Sequence, residues 1–258
     1  MVSNLMMHLD YVLAPIIGFV AGFLGTLLGI GGGSVMVPLL VIAGVDIKKA
    51  VPASLFAILG TSAGGLRRLF GEGLVDYKLA VILETASVTG ASIGVYSFGK
   101  MTSNTLQALL ASILLVTAVL FYVKSRKLNT ASSSRDKSAL KLIVAILASL
   151  IAGFLSATLG IGGGVVKVPI LVLVLGIEMH KALSTSKLMV GITAATGVIG
   201  YIYTGHLDLI LAILLLVGTY TGARMSTGIM VKMESRWLLV IASSYYVVTS
   251  AILFYRIL

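Results

Sequence analysis

The amino-acid sequence predicts an all-α, polytopic membrane protein built from two homologous halves. Three observations support this prediction: the composition, the lengths of the apolar runs and an internal repeat. The chain has 258 residues, of which 58% are hydrophobic and 11% are charged, and its mean hydropathy is +1.09. A soluble domain carries about 25% charged residues, so this composition indicates a chain surrounded by lipid.

Ten apolar runs divide the chain, five in each half. They cover about residues 11–30, 34–45, 50–66, 76–98 and 104–123, and then 141–160, 165–177, 182–203, 207–230 and 237–258. Most approach the roughly 20 residues that a helix needs to cross a bilayer. Strict alternation of apolar and polar residues is absent, so each run is predicted to be a helix that bonds its own backbone in lipid. The first run lacks a preceding basic stretch, which favours a retained helix over a signal peptide.

The internal repeat appears when the sequence is aligned with itself. With a shift of 131 residues, positions 21–38 align with positions 152–169, and 13 of these 18 positions are identical. Beyond the proline the offset becomes 132, which also pairs Asp76 with Asp208 as expected helix caps. The chain is therefore predicted to comprise a first repeat at 1–123, a basic linker at 124–140 and a second repeat at 141–258.

Basic residues in the short loops predict the orientation. Placing the hydrophilic linker 124–140 in the cytoplasm assigns twelve lysine and arginine residues to the inside and four to the outside. The amino terminus then lies outside, and each half has an odd number of crossings. The halves are therefore expected to have inverted topologies, whether the short second segment of each half crosses fully or dips in and returns with the first.

Residue usage argues against several function classes. The basic residues are spread over short loops, so nucleic acid is not an expected partner. The chain has no cysteine and only three histidines, which stand far apart, so neither a metal nor another cofactor is expected. No serine–histidine, paired-aspartate or HExxH arrangement lies within a run, so an enzyme is not expected.

Two glycine triplets stand between a long apolar run and a short one. The short runs have about twelve residues, and a helix of that length covers roughly 18 Å of a hydrocarbon core of about 30 Å. Consecutive glycines permit unusual backbone angles, so each GIGGG motif is predicted to break a helix inside the membrane and to start a half-helix. The free N–H groups and positive dipole end of that half-helix would attract an anion, although glycine also serves close helix packing. The candidate substrate-binding residues are Gly31, Gly32, Gly33, Ser34, Gly162, Gly163 and Gly164.

Ionisable residues inside the runs are functional candidates because their burial is expensive. Lys167, three residues beyond the second triplet, is expected to add positive charge to the anion site, with snorkelling or pairing as the alternatives. Lys187 is expected to be an interfacial anchor near the cytoplasmic side, with a coupling or structural role as the alternative. Glu84 is open to an internal partner, proton coupling or a structural pair, and Arg224 is either interfacial or functional.

Hydroxyl residues follow each half-helix, and two pairs recur in register. These pairs are Ser54 with Ser186, and Thr61 with Thr193. Their hydroxyl groups are candidate donors to anionic oxygens, and hydrogen bonding between helices is the alternative role.

The two glycine motifs also carry a family resemblance. They read LGIGGGSVMVPLL and LGIGGGVVKVPIL, are followed by VPASLFAILGTSAGG and ALSTSKLMVGITAATG, and then each half has TGA. These paired motifs, spread over nearly the whole chain, resemble the sulfite exporter TauE/SafE family. The resemblance implies a prokaryotic, multi-pass plasma-membrane transporter with two homologous halves, associated with sulfite, sulfonates and other small sulfur-containing or organic anions.

The sequence thus predicts a secondary transporter of a small anion. Alternating access would act around a midplane site at the interface of the two repeats, with the lipid bilayer as surroundings and a proton or another ion as the coupling partner. A passive anion channel of the same architecture remains an alternative. Two rivals from other classes are an intramembrane enzyme and a structural scaffold in the membrane.

Overall fold

The structure, a computed structural model, describes residues 2–127 and 139–257, and these two ranges contain helices and no strands. The first range holds α1 (Val2–Leu27), α2 (Gly33–Ile42), α3 (Ile47–Gly71), α4 (Tyr77–Phe98) and α5 (Ser103–Lys127). The second holds α6 (Ala139–Leu159), α7 (Gly164–Pro169), α8 (Met179–Tyr203), α9 (Leu209–Lys232) and α10 (Ser235–Ile257). A π-helical turn (Ile170–Val174) continues α7. The all-α prediction is confirmed, while residues 128–138 of the expected linker lie outside the described residues.

Within the described ranges, six helical segments are long and apolar enough to cross a membrane. They are Tyr77–Phe98, Ser103–Val123, Ala139–Leu159, Met179–Tyr203, Leu209–Lys232 and Arg236–Arg256. The segments that follow the two triplets are short, as the sequence predicts: α2 has 10 residues, which corresponds to about 15 Å at the rise of an α-helix. The chain is a multi-pass membrane protein.

One end of the helix bundle is defined by contacts between distant helix ends, and we call it the Tyr11 end. The contacts are the hydrogen bonds Tyr11–Asp208 (2.9 Å) and Ser103–Asp46 (3.1 Å), the ring pair Phe98–His206 (5.8 Å between centroids) and a bond from Arg256 to the Val41 carbonyl. They bring together the starts of α1, α3, α5 and α9 and the ends of α2, α4, α8 and α10. Because α1 starts and α2 ends here, these two helices form a hairpin.

The opposite end is held by a second set of contacts, and we call it the Asp76 end. Lys181 lies 3.9 Å from a carboxylate oxygen of Asp76, and the ring of His180 hydrogen-bonds the Met233 carbonyl at 2.8 Å. The contacts gather the α3–α4, α7–α8 and α9–α10 loops. Asp76 also caps α4 by accepting from the Leu79 N–H at 3.2 Å, and Asp208 caps α9 in the same way, so the predicted caps are confirmed.

The two halves of the chain pack into each other rather than side by side. Helix α1 packs along α9, and at the equivalent place of the repeat α6 packs along α4. Both contacts are backbone to backbone: a Cβ atom at Gly22 or at Gly153 would collide with a carbonyl of the partner helix. Small residues allow this close approach, and the resulting van der Waals packing favours association of helices in lipid. Helices α3 and α8 contact each other and flank the two breaks that follow α1 and α6.

Candidate functional site

The two glycine segments meet in the interior of the bundle. Loop 1 (residues 28–32) joins α1 to α2, loop 2 (residues 160–163) joins α6 to α7, and every residue of both loops is buried. A Cβ atom at Gly164 would lie 2.6 Å from the Cα atom of Ile30, and one at Gly33 would collide with the Gly160 carbonyl. The glycines therefore permit direct backbone contact between the two repeats.

Each loop ends in a glycine that starts the following helix. Gly32 and Gly163 are the N-caps of α2 and α7, with φ of 81° and 76°. A side chain in this left-handed conformation costs roughly 1–2 kcal/mol, which accounts for glycine at both positions. The first N–H groups of α2 and α7 have no partner within their own helices. The predicted breaks are therefore at the expected residues, and both helix starts face the meeting point of the loops.

Aliphatic side chains close over the loops. Ile58 of α3 and Val190 of α8 occupy equivalent positions in the two repeats, and both reach Gly162. A Cβ atom added there would lie 2.9 Å from Ile58 and 2.8 Å from Val190. The same Val190 side chain blocks a Cβ atom at Gly31. The meeting point of the loops is thus covered from two directions in this structure.

Two of the four predicted hydroxyl residues bond the loops directly. Ser54 donates to the Gly160 carbonyl at 2.8 Å, which links α3 of the first repeat to loop 2. Thr61 donates to the Gly31 carbonyl at 3.0 Å, within its own repeat. Both hydroxyl groups also donate to carbonyls of α3, so they attach the two loops to this helix.

A buried ion pair lies beside loop 2. The Lys167 ammonium is 2.6 Å from a Glu84 carboxylate oxygen, donates to the Thr193 hydroxyl, and lies 3.2 Å from the Met189 carbonyl. Thr193 donates to the second oxygen of Glu84 at 2.5 Å. The two charged side chains are 0% and 3% exposed. Pairing is therefore the role that the structure gives to Lys167 and Glu84, and the charge of Lys167 is offset within the protein.

The expected interfacial position of Lys187 is wrong. This side chain is 1% exposed, and its ammonium donates to the Thr26 hydroxyl at 3.2 Å. Lys187 lies in the third turn of α8, where α1 and α3 cover its side chain. A position near the start of the helix therefore does not place this side chain at the membrane surface.

The remaining candidates are dispersed. Ser34 hydrogen-bonds the Tyr246 hydroxyl at 3.2 Å and so connects the start of α2 to α10. Ser186 is buried and its hydroxyl has no hydrogen-bond partner in the structure. Arg224 is exposed on α9, which removes it from the cluster around the loops.

Sequence reasoning missed two hydroxyl residues at the loops. Ser156 is buried without a hydrogen-bond partner, and its Cβ atom lies 3.3 Å from where a Cβ atom of Gly163 would stand. Thr26 is the hydroxyl that meets Lys187. The repeat aligns them with Gly25 and Ala157, so neither recurs in register and the repeat gave no signal for them.

Comparisons with known proteins give the family of this chain. A family model described as "Sulfite exporter TauE/SafE" matches residues 14–253. The chain belongs to the sulfite exporter TauE/SafE family. No solved structure matches this TauE/SafE chain significantly.

Relatives of this TauE/SafE protein come from several kingdoms. "Probable membrane transporter protein YunE" of Bacillus subtilis is 26% identical over 254 residues, covering 90% of this chain and 93% of the relative. "Probable membrane transporter protein MJ0441" of Methanocaldococcus jannaschii is 27% identical, covering 89% of this chain and 90% of the relative. "Sulfite exporter TauE/SafE family protein 5" of Arabidopsis thaliana is 40% identical over 87 residues, which are 33% of this chain and 19% of the relative.

Proposed function

We propose that this chain is a secondary transporter of a small anion, such as sulfite or a sulfonate. Alternating access would act around the meeting point of loops 1 and 2. One observation carries the proposal: two broken helices of a duplicated unit present their glycine-lined starts to each other inside a membrane protein. Broken helices at a repeat interface are the way in which many transporters build a substrate site near the bilayer midplane.

The two repeats have opposite orientations in this proposal. The hairpin of α1 and α2 enters from the Tyr11 end, and the hairpin of α6, α7 and the π-helical turn enters from the Asp76 end. The remaining helices, three in each repeat, run from one end of the bundle to the other. Lys48, Lys49 and Lys100 lie at the Tyr11 end, which the distribution of basic residues assigns to the outside. The Asp76 end and the linker then lie in the cytoplasm.

The chemistry at the loops suits an anion. Helix starts supply backbone N–H donors and a positive dipole end, and Ser156, beside Gly163, supplies a buried hydroxyl group without a partner. A bound oxyanion would satisfy these donors, which are costly to bury without a partner. The predicted substrate-binding set is the two triplets with Ser34, Lys167, and the pairs Ser54–Ser186 and Thr61–Thr193, of which Lys167 and Thr193 are engaged by Glu84. Ser34, Ser54 and Thr61 form hydrogen bonds that hold the loops and helix starts in place.

The covered arrangement of the loops fits an occluded state of a transporter. Ile58 and Val190 lie over loop 2, on α3 and α8, and each belongs to a different repeat. Access from one side or the other would require one of these helices to move away from the loops. Because the two residues are equivalent in an inverted repeat, each would close the path toward a different membrane face.

Flux measurements on the purified protein in sealed liposomes test the proposal. Radiolabelled sulfite uptake should saturate, and sulfite loaded inside the vesicles should accelerate it by counterflow. Imposed proton and sodium gradients then identify the coupling ion. Uptake that neither saturates nor shows counterflow would identify the passive channel, and vesicles that take up no anion faster than protein-free controls would contradict both readings.

A further inference from the structure

The buried side chain of Lys187 lies beside loop 1. Leu183, Lys187 and Val190 are spaced by four and three residues and therefore share one face of α8. Leu183 and Val190, about one turn before and after Lys187, both contact loop 1. A Cβ atom at Gly29 would lie 2.9 Å from the Cα atom of Leu183, and one at Gly31 would collide with Val190. The Lys187 ammonium meets Thr26, at the end of α1.

This ammonium has no counter-charge in the part of the chain that the structure describes. Of the carboxylates in the described residues, Glu84 pairs with Lys167, and none pairs with Lys187. The three buried charges around the loops therefore sum to one positive charge. An unpaired charge inside a membrane protein is expensive and points to a functional partner.

The Lys187 ammonium lies in polar surroundings and occupies space that a side chain at position 65 would fill. Gly65 of α3 faces it: a Cβ atom at this position would collide with the Lys187 Nζ atom and would lie 2.6 Å from the Thr227 hydroxyl oxygen. Ser184, one turn earlier on α8, is buried and its hydroxyl has no hydrogen-bond partner. The hydroxyl groups of Thr26 and Thr227 and the open face of Gly65 thus lie around one uncompensated cation.

We infer that Lys187 is the anchoring cation of the transported anion, and that the site selects a singly charged oxyanion over a doubly charged one. The inference rests on the proposed function and adds the charge class of the substrate. One oxyanion oxygen accepts a hydrogen bond from the Lys187 ammonium, and the Thr26 hydroxyl donates to another. A monoanion such as hydrogen sulfite or a sulfonate cancels the single positive charge, whereas a dianion leaves the buried cluster negatively charged.

Calorimetric titration of the purified protein in detergent tests this inference. The probes are methanesulfonate, a fixed monoanion, sulfate, a fixed dianion at neutral pH, and sulfite. Wild type should bind methanesulfonate more tightly than sulfate. Lys187→Met should weaken methanesulfonate binding by about tenfold to a hundredfold, the range for losing one hydrogen bond to a charged group. Lys181→Met, on the same helix but 37% exposed, is the matched control and should bind as wild type does.

A second readout separates an anion-binding lysine from a structural one. Without ligand, Lys187→Met should melt at the same temperature as wild type or higher, because an unpaired buried charge is replaced by an apolar side chain of similar length. A marked fall in the melting temperature of unliganded Lys187→Met would overturn the inference. Wild-type affinity in Lys187→Met, or tighter binding of sulfate than of methanesulfonate by wild type, would also overturn it and leave anion transport intact. A wild-type protein that binds none of the three probes would contradict the proposed function itself.

Discussion

The ion pair between Lys167 and Glu84 offers a quantitative test of the site. The two charged groups are 2.6 Å apart and 0% and 3% exposed. Removing one partner of a buried pair leaves the other charge uncompensated, at a loss of about 3–5 kcal/mol. For a chain of this size, that loss lowers the melting temperature by roughly 6–20 °C. Lys167→Met and Glu84→Leu should therefore each be strongly destabilised in thermal denaturation of the purified protein.

The repeat provides the matched double variant. Position 36 of the first repeat, equivalent to Lys167, is Met36, and the position equivalent to Glu84 is Leu216. The variant Lys167→Met/Glu84→Leu therefore gives each of the two positions the residue that stands at the equivalent position of the other repeat. Apolar replacement of a whole buried pair is often neutral or stabilising, so the double variant should recover most of the lost melting temperature. The pair of Lys181 and Asp76, whose side chains are 37% and 16% exposed, is the control, since Lys181→Met should change stability by about 1 kcal/mol or less.

A double variant that loses as much stability as the sum of the two single variants would contradict this prediction. Additive losses are expected of residues that do not interact. They would mean that the contact between Lys167 and Glu84 contributes nothing and that the two residues act on other partners.

Three further results are expected from the same structure. Ser54→Ala should lower stability by about 1 kcal/mol, measured by denaturation, because it removes the bond to the Gly160 carbonyl, whereas Ser186→Ala removes an unpartnered hydroxyl and should not. Arg224→Ala should leave sulfite uptake unchanged in liposomes, because its side chain is exposed away from the loops. The chain has no cysteine, so a single introduced cysteine can be labelled selectively. An impermeant maleimide should label Lys48→Cys in intact cells, and Lys181→Cys only after the membrane is opened. The reverse pattern would contradict the proposed orientation.

Most of the fold was predictable because it depends on local signals. The lengths of the apolar runs predicted the helices, and the triplets predicted the two breaks, at Gly32 and Gly163. Asp76 and Asp208 predicted helix starts because capping acts over three residues. In each case the deciding interaction lies within one turn or within one helix.

The environment of single side chains was not predictable in the same way, because distant helices determine it. Lys187 begins the third turn of α8, and only the packing of α1 and α3 against this turn makes it internal. The partner of Ser34 is Tyr246, 212 residues away. Ser54 and Ser186 recur in register, yet only Ser54 bonds the opposite loop. The repeat therefore predicts where hydroxyl groups stand but not which of them are already engaged.

Alanine at the two N-cap glycines, Gly32 and Gly163, tests most directly whether the meeting point of loops 1 and 2 binds the transported anion. The matched controls are Gly73→Ala and Gly205→Ala. These glycines occupy equivalent positions of the two repeats, have φ of +67° and +70°, and have no atoms within 4 Å of an added Cβ atom. All four variants therefore carry similar backbone strain, and only two of them alter the site.

Saturable sulfite uptake into liposomes is the measurement. Gly32→Ala and Gly163→Ala should abolish uptake while Gly73→Ala and Gly205→Ala retain it, with all four proteins eluting as folded species in detergent. Wild-type uptake by both Gly32→Ala and Gly163→Ala would contradict the assignment of the anion site to the loops.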